Sequence, residues 1–229
     1  MTRKLDDVGR IKALAPKTLA GHKRFRRVVE EDGALPSALK LLFVAAAASV
    51  KGYVDLATRE LRAAHAAGLD VDRAGSAVAI LASSRGEGAA LRFEAVFAEV
   101  YGAEARQEAA ETPIDVAAGE AGANFLKYFG EMPPSLGKLV ELVPPGADAY
   151  YLMREGTLSG TALAPSHAEL LLVTVLAADY SPWASVHMDG ARKAGASEGE
   201  VAEAVLCAVP VAGLSAWVVG ATAMDAGSK

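Results

Sequence analysis

The amino-acid sequence predicts an all-α protein, and three observations lead to this prediction. Just over half of the residues are apolar, with heavy use of alanine, which is the strongest helix former. Stretches with the alternating apolar pattern of a β-strand are too short to be useful. Serine, glutamate and glycine recur at the spacings that begin and end helices.

Two stretches of the chain resemble each other, which indicates an internal duplication. The run Ala34-Leu35-Pro36-Ser37 resembles Leu163-Ala164-Pro165-Ser166. After a slip of two residues the match continues, and its pairs are Tyr53 with Tyr180, Gly68 with Gly195, Ala77 with Ala204 and Gly86 with Gly213. The predicted organisation is an N-terminal repeat at residues 1–100, a connecting segment at 101–139 and a C-terminal repeat at 140–229.

The helices of the second repeat can be read in order. Ser166 is expected to cap a helix, with Glu169 completing a capping box, and that helix is apolar all round as far as Ala178. The pair Ser181-Pro182 is expected to open the next helix, which stops at Gly195.

A second capping box, from Ser197 to Glu200, predicts a long helix that Pro210 and Gly213 kink or break. The first repeat follows the same plan, and Gly68 is expected to end its middle helix.

Charge and composition exclude several classes of protein. The formal net charge of −5 argues against nucleic-acid binding, because that function needs a clustered positive surface. The longest apolar stretch, from Leu41 to Val50, is too short to span a bilayer, and the first residues lack the apolar core of a signal peptide. With Cys207 as its single cysteine, the chain cannot form an internal disulfide. A cytoplasmic location is therefore expected.

The second repeat resembles a known family. The run from Pro165 to Leu171, His187, the turn from Ala191 to Glu198 and the run from Glu200 to Ala204 closely resemble the core of the carboxymuconolactone decarboxylase and alkylhydroperoxidase D superfamily. The resemblance implies an alkylhydroperoxidase D-like (AhpD-like) helical fold with two homologous repeats, of which the first is degenerate. Members of the superfamily place a glutamate on one helix, a Cys-x-x-Cys at the start of the next and a histidine four residues later.

The redox cysteines of that family are missing here. Counting back from Gly195 places Tyr180 and Trp183 at the two cysteine positions and keeps His187 on the family histidine. Counting forward from Glu169 instead gives Ser181 and Ala184. Because peroxide reduction needs a reactive thiolate and a resolving partner, the chain is not expected to be a thiol peroxidase.

Five residues of the second repeat form the candidate site. Tyr180, Trp183 and His187 are three and four apart, so they are expected to share one face at the start of a helix. The family packing would bring Glu169 beside His187 as an acid–base pair. Backbone donors at the helix start near Ser181 would hold a substrate oxygen, although Asp179 adds an opposing charge.

In the first repeat, Glu60 matches His187 and Lys40 matches Glu169, while Arg85 and Glu87 suggest an internal ion pair or pocket lining. In two-repeat members of the superfamily one copy often carries the site, so the resemblance implies that the second repeat carries it here and the first serves as scaffold. The resemblance also implies a homo-oligomer, with a trimer favoured and a dimer as the alternative.

The leading hypothesis is a cofactor-free enzyme that acts on a small cyclic or conjugated carboxylate, lactone or enolisable carbonyl compound. His187 would be the general acid–base, Glu169 its orienting partner, and Tyr180, Trp183 and Ser181 the substrate contacts. The rival hypothesis is a non-catalytic scaffold or small-molecule binding protein. A metal site is a weaker third option, because His187 and Glu169 supply too few ligands.

Overall fold

The all-α prediction is confirmed by a computed structural model, which describes residues 4–106 and 109–226. Within these residues the chain forms helices and no strand. The α-helices are α1 (Gly9–Leu14), α2 (Pro16–Glu30), α3 (Ser37–Val50), α4 (Val54–Ala66), α5 (Val71–Arg85), α6 (Glu87–Tyr101), α7 (Glu120–Phe129), α8 (Pro134–Leu142), α9 (Pro144–Leu158), α10 (Pro165–Ala178), α11 (Ala184–Lys193), α12 (Glu198–Cys207), α13 (Val209–Ala212) and α14 (Leu214–Ala226). Short 3₁₀ helices occupy Leu5–Asp7 and Gly102–Ala105. Among the described residues, no helix combines the length and the apolar character needed to cross a membrane.

The chain packs as two compact units. Of the described residues, 4–106 and 161–226 form one unit, and 109–160 form the other. The first unit therefore contains α1–α6 and α10–α14, while the second contains α7–α9. The predicted division at residues 100 and 140 concerns a duplication rather than packing, and it stays a prediction.

Helices α3 and α10 form the centre of the first unit and contact each other. Every residue of α3 from Ala38 to Ser49 is buried, and so is every residue of α10 from Ala168 to Ala178. Helices that are apolar on all sides have no face suited to water, so the other helices pack around them. The expectation that α10 is buried nearly all round is confirmed.

Helices α3 and α10 have similar backbone angles at their two ends. The residues that correspond are shifted by one position from the pairs that the sequence suggested. Pro36 and Ala164 precede the two helices with nearly the same backbone angles. After the helices, Gly52 and Tyr180 both have positive φ, at 78° and 56°. Tyr180 therefore corresponds to Gly52 and not to Tyr53. The duplication itself stays a prediction.

Two of the predicted helix starts were wrong. Helix α10 begins at Pro165, its cap is Ala164, and no side chain caps it. Proline fits the first helical position, which places Glu169 too deep in the helix to reach back to the cap. Helix α11 begins at Ala184 rather than at Pro182, and the Ser181 hydroxyl instead accepts the backbone N–H of Trp183 at 3.3 Å.

The remaining helix signals were read correctly. The capping box of Ser197 and Glu200 is present, with bonds in both directions. Gly68 and Gly195 have φ values of 89° and 96°, which suits the end of a helix. The expected break around Pro210 and Gly213 separates α12, α13 and α14.

Polar side chains of the first unit hold the segments that lead into its two central helices. The Glu203 carboxylate on α12 accepts the backbone N–H groups of Ala34 and Leu35, each at 2.9 Å. On α5, the Ser76 hydroxyl accepts the backbone N–H of Ala162 at 3.0 Å. Each segment is therefore held by a helix that is distant in sequence.

The second unit has a small core of its own. Its buried apolar side chains are Ala121, Phe125, Leu136 and Ala147. The Arg154 guanidinium lies 3.4 Å from the centre of the Tyr128 ring, a cation–π contact that also holds α7 against α9.

Candidate functional site

Helices α10 and α11 bring Glu169 and His187 together. The Nδ1 atom of His187 lies 2.7 Å from Oε2 of Glu169. Because an ionised carboxylate accepts hydrogen bonds and cannot donate them, Nδ1 of the imidazole is the donor in this bond. The neutral ring then carries no proton on Nε2, which is the arrangement of a general base.

The two partners differ in their access to solvent. The Glu169 residue is 3% exposed, whereas 30% of the His187 side chain is exposed. The bond to the buried carboxylate uses Nδ1, so Nε2 of this partly exposed imidazole takes no part in it. The geometry therefore suits proton transfer at the surface of the first unit.

The aromatic residues of the candidate site lie before the helix and not on it. Tyr180 occupies the left-handed turn after α10, and its hydroxyl donates to the Ala212 carbonyl at 2.5 Å. Trp183 immediately precedes α11 and is 70% exposed. The expected shared helical face of Tyr180, Trp183 and His187 was wrong, because only His187 lies within α11.

Asp179, whose charge was expected to oppose the binding of a substrate oxygen, is paired with two cations. Lys51 Nζ lies 2.8 Å from its Oδ1, and the Arg85 guanidinium forms an ion pair with its other oxygen. Lys51 Nζ also lies 5.5 Å from the centre of the Tyr180 ring. Two cations thus surround one carboxylate beside Tyr180. The internal ion pair expected for Arg85 is present, while Glu87 is exposed.

Glu60, which the predicted duplication pairs with His187, lies in an ion network. Glu60 is fully buried, and its two oxygens contact Arg26 at 2.8 Å and Arg59 at 2.6 Å. Lys40 pairs instead with Glu203, at 3.1 Å. Glu60 therefore has charged partners on both sides and no exposed surface for a substrate.

Cys207 is fully buried in α12. Burial raises the pKa of its thiol well above the ordinary value for cysteine. A thiol in this state supplies no thiolate near neutral pH.

We therefore expect no peroxidase activity with any dithiol donor, and Cys207→Ser should affect stability alone. Alkyl hydroperoxide consumption, followed with a dithiol and compared between the parent and this variant, checks both statements. Sustained thiol-dependent turnover by the parent would contradict them.

Sequence reasoning missed three contributors to this region. Lys51 pairs with Asp179 across the two central helices, a contact that no local pattern indicates. Arg192 holds the turn after α11 by donating to both Glu198 oxygens, at 2.6 Å and 2.9 Å. Gly190 lies against the Glu169 carboxylate. A glycine in the interior of a helix was the available signal for this last contact.

Comparison with known proteins supports the family resemblance of the C-terminal part of the chain. Residues 144–226 match the sequence profile of the carboxymuconolactone decarboxylase family. The match runs from the start of α9 to the end of α14 and so includes Glu169 and His187. A comparison with curated proteins found no match.

Proposed function

Because residues 144–226 of this chain belong to the carboxymuconolactone decarboxylase family, we propose that it is a cofactor-free acid–base enzyme. Its substrate is a small cyclic or conjugated carboxylate, lactone or enolisable carbonyl compound. The reaction class is decarboxylation, isomerisation or ring opening. The observation that carries this proposal is the hydrogen bond between Glu169 and Nδ1 of His187, which leaves Nε2 free on a partly exposed ring.

In the proposed reaction, Nε2 of His187 removes a proton from a carbon next to the substrate carbonyl. The electrons of that C–H bond move into the carbonyl to form an enolate, and the Glu169 carboxylate stabilises the imidazolium that results. The imidazolium then returns the proton to another carbon, which completes an isomerisation. In a decarboxylation, His187 first takes a proton from solvent and becomes the imidazolium. The C–C bond to the carboxylate then breaks, CO₂ leaves, and the electron pair moves into the conjugated carbonyl as an enolate. Nε2 gives its proton to the carbon that lost the carboxylate, which returns the ring to its neutral form.

The charges near Tyr180 support an anionic substrate. Lys51 and Arg85 together carry one more positive charge than Asp179 carries negative. The exposed surfaces of Tyr180 and Trp183 would provide a wall for a flat or cyclic substrate. The Ser181 hydroxyl accepts the backbone N–H of Trp183. Ser181 would therefore assist substrate binding indirectly, by stabilising the turn that carries Tyr180 and Trp183.

The proposal is tested by incubating the protein with a panel of such compounds in deuterated water. Proton transfer at carbon exchanges hydrogen for deuterium, which NMR detects even when the net reaction is slow. Exchange or conversion of at least one compound is expected. Saturable binding across the panel with no exchange and no conversion would instead establish the rival hypothesis of a binding protein.

We also propose a homo-oligomer, with a trimer favoured over a dimer. The first unit exposes large apolar side chains at Trp183, Leu214 and Val218, and the second exposes Leu142 and Val143. Such side chains are commonly covered in assemblies. Light scattering should report a multiple of the 23.6 kDa chain mass. A uniform monomer would refute this proposal.

A cytoplasmic location, without nucleic-acid or membrane partners, remains a prediction.

A further inference from the structure

Gly190 is an unexpected residue for its place in the fold. It lies in the interior of α11, three residues after His187, and it is buried. Glycine destabilises a helix interior relative to alanine, since it gives up more backbone freedom on folding. A buried helical glycine therefore suggests that something occupies the space where a side chain would stand.

The occupant of that space is the Glu169 carboxylate. A Cβ atom added to Gly190 would lie 2.5 Å from Oε1, 2.7 Å from Cδ and 3.1 Å from Oε2 of Glu169. The first two separations are far shorter than the ordinary contact between carbon and its neighbours. Since Oε2 is the atom bonded to His187, the glycine and the histidine approach one and the same carboxylate.

An added methyl group would therefore displace the carboxylate. The carboxylate stands at the end of a flexible side chain, whereas the backbone of α11 is held by its own hydrogen bonds and by its packing on α10. Displacement of Oε2 would lengthen its 2.7 Å contact with Nδ1 and release the imidazole from its fixed tautomer.

We infer that Gly190 is a positioning residue: its missing side chain seats the Glu169 carboxylate against Nδ1 of His187. The hydrogen bond then keeps Nδ1 protonated and Nε2 free, in the state that the proposed function requires. The catalytic importance of Gly190 rests on the proposed function. The contact between Gly190 and the Glu169 carboxylate exists without substrate and can be tested separately.

The first test is the tautomer of His187 in the protein without substrate. Imidazole ¹⁵N shifts distinguish a ring protonated on Nδ1 from one protonated on Nε2, and the Nδ1–H form is expected in the parent. Gly190→Ala should move the ring towards the Nε2–H form, because the carboxylate no longer accepts from Nδ1. Unchanged ¹⁵N shifts in this variant would overturn the inference.

Gly21→Ala is the matched control. Gly21 is also inside a helix, α2, but a Cβ at that position would meet nothing within 4 Å. This control should leave the His187 tautomer as it is in the parent. A tautomer change of the same size in Gly21→Ala would show that the effect is not local, and would overturn the inference as well.

A second measurement keeps the inference testable if Gly190→Ala folds poorly. In the parent background Gly190→Ala should lower Tm, since the methyl group displaces a buried carboxylate from its hydrogen bond with His187. In the Glu169→Ala background the same change should raise Tm, because the collision is gone and alanine favours the helix. A change in the same direction in both backgrounds would contradict the seating of Glu169 by Gly190.

Turnover links the inference to the proposed function but can fail separately from it. Where the parent turns over a compound of the panel, Gly190→Ala should lose about 10²-fold, the scale expected for a misplaced catalytic group. Absence of turnover in the parent would refute the proposed function but would not affect the tautomer result. Full turnover in a Gly190→Ala variant would refute the positioning role.

Discussion

His187→Asn is expected to lower turnover by about 10²- to 10⁴-fold, the usual contribution of a general acid–base. Asparagine keeps polarity and approximate size but cannot carry a proton near neutral pH. Because 30% of the His187 side chain is exposed, the substitution removes little packing. Turnover of the responsive compound and Tm, measured on the same preparation, separate a chemical loss from a folding loss.

The matched control is His167→Asn, at a histidine in the first turn of α10 that also lies within residues 144–226. It should leave turnover within a few-fold of the parent. Glu60→Gln should also do so per folded molecule, although it weakens a fully buried ion network. Glu169→Gln should impair turnover, because the amide cannot stabilise an imidazolium by charge. An active His187→Asn variant would move the site elsewhere, with Arg85 and Glu87 as the next candidates.

Glu203→Ala is expected to cost about 3 kcal/mol of the free energy of unfolding, which is the scale for removing one partner of a buried ion pair. Lys40 is 1% exposed and would be left as a buried ammonium without the carboxylate that it contacts at 3.1 Å. The backbone N–H groups of Ala34 and Leu35 would lose their acceptor too. Urea unfolding of the parent and the variant measures the difference.

Glu99→Ala is the matched control, since Glu99 pairs with Arg62 where both side chains are more than half exposed. An exposed pair contributes about 0–1 kcal/mol, so this variant should stay close to the parent. Equal losses in the two variants would show that burial of the Lys40–Glu203 pair has no special effect on stability.

The stability that Glu203 provides should depend on pH. Burial alone would raise the pKa of Glu203, but the backbone N–H groups of Leu35 and Ala34 and the Lys40 ammonium together lower it below its ordinary value. A carboxyl whose pKa is lower in the folded state stabilises the protein above its unfolded-state pKa. The difference between parent and Glu203→Ala should therefore be full at neutral pH and shrink as the solution becomes acidic. A difference that grows on acidification would contradict this assignment.

Local patterns in the sequence were enough for much of the helical fold. The capping box of Ser197 and Glu200 uses side chains and backbone groups a few residues apart, so its chemistry is complete within one turn. Gly195 ends α11 for an equally local reason, its tolerance of positive φ. The apolar run of α10 predicted burial on all sides, because no face of that helix suits water.

Local patterns failed where two signals compete within a few residues. Ser166 and Pro165 both favour a helix start, and proline at the first helical position set the boundary, so Glu169 lies beyond the reach of a cap. At Tyr180 the chain leaves α10 through a left-handed turn that glycine would adopt more easily. The bond from the Tyr180 hydroxyl to the Ala212 carbonyl stabilises this turn, and Ala212 is far away in the sequence.

The sequence by itself determined the helical class, most helix ends and the identity of the pair Glu169 and His187. Only the tertiary structure decided that Lys51 and Arg85 both pair with Asp179, that Glu203 holds the segment before α3, and that Gly190 leaves space for a carboxylate. Each of these contacts joins residues that lie in or near two different helices. Their distances depend on how whole helices pack, whereas capping and turn signals depend on a few neighbouring residues.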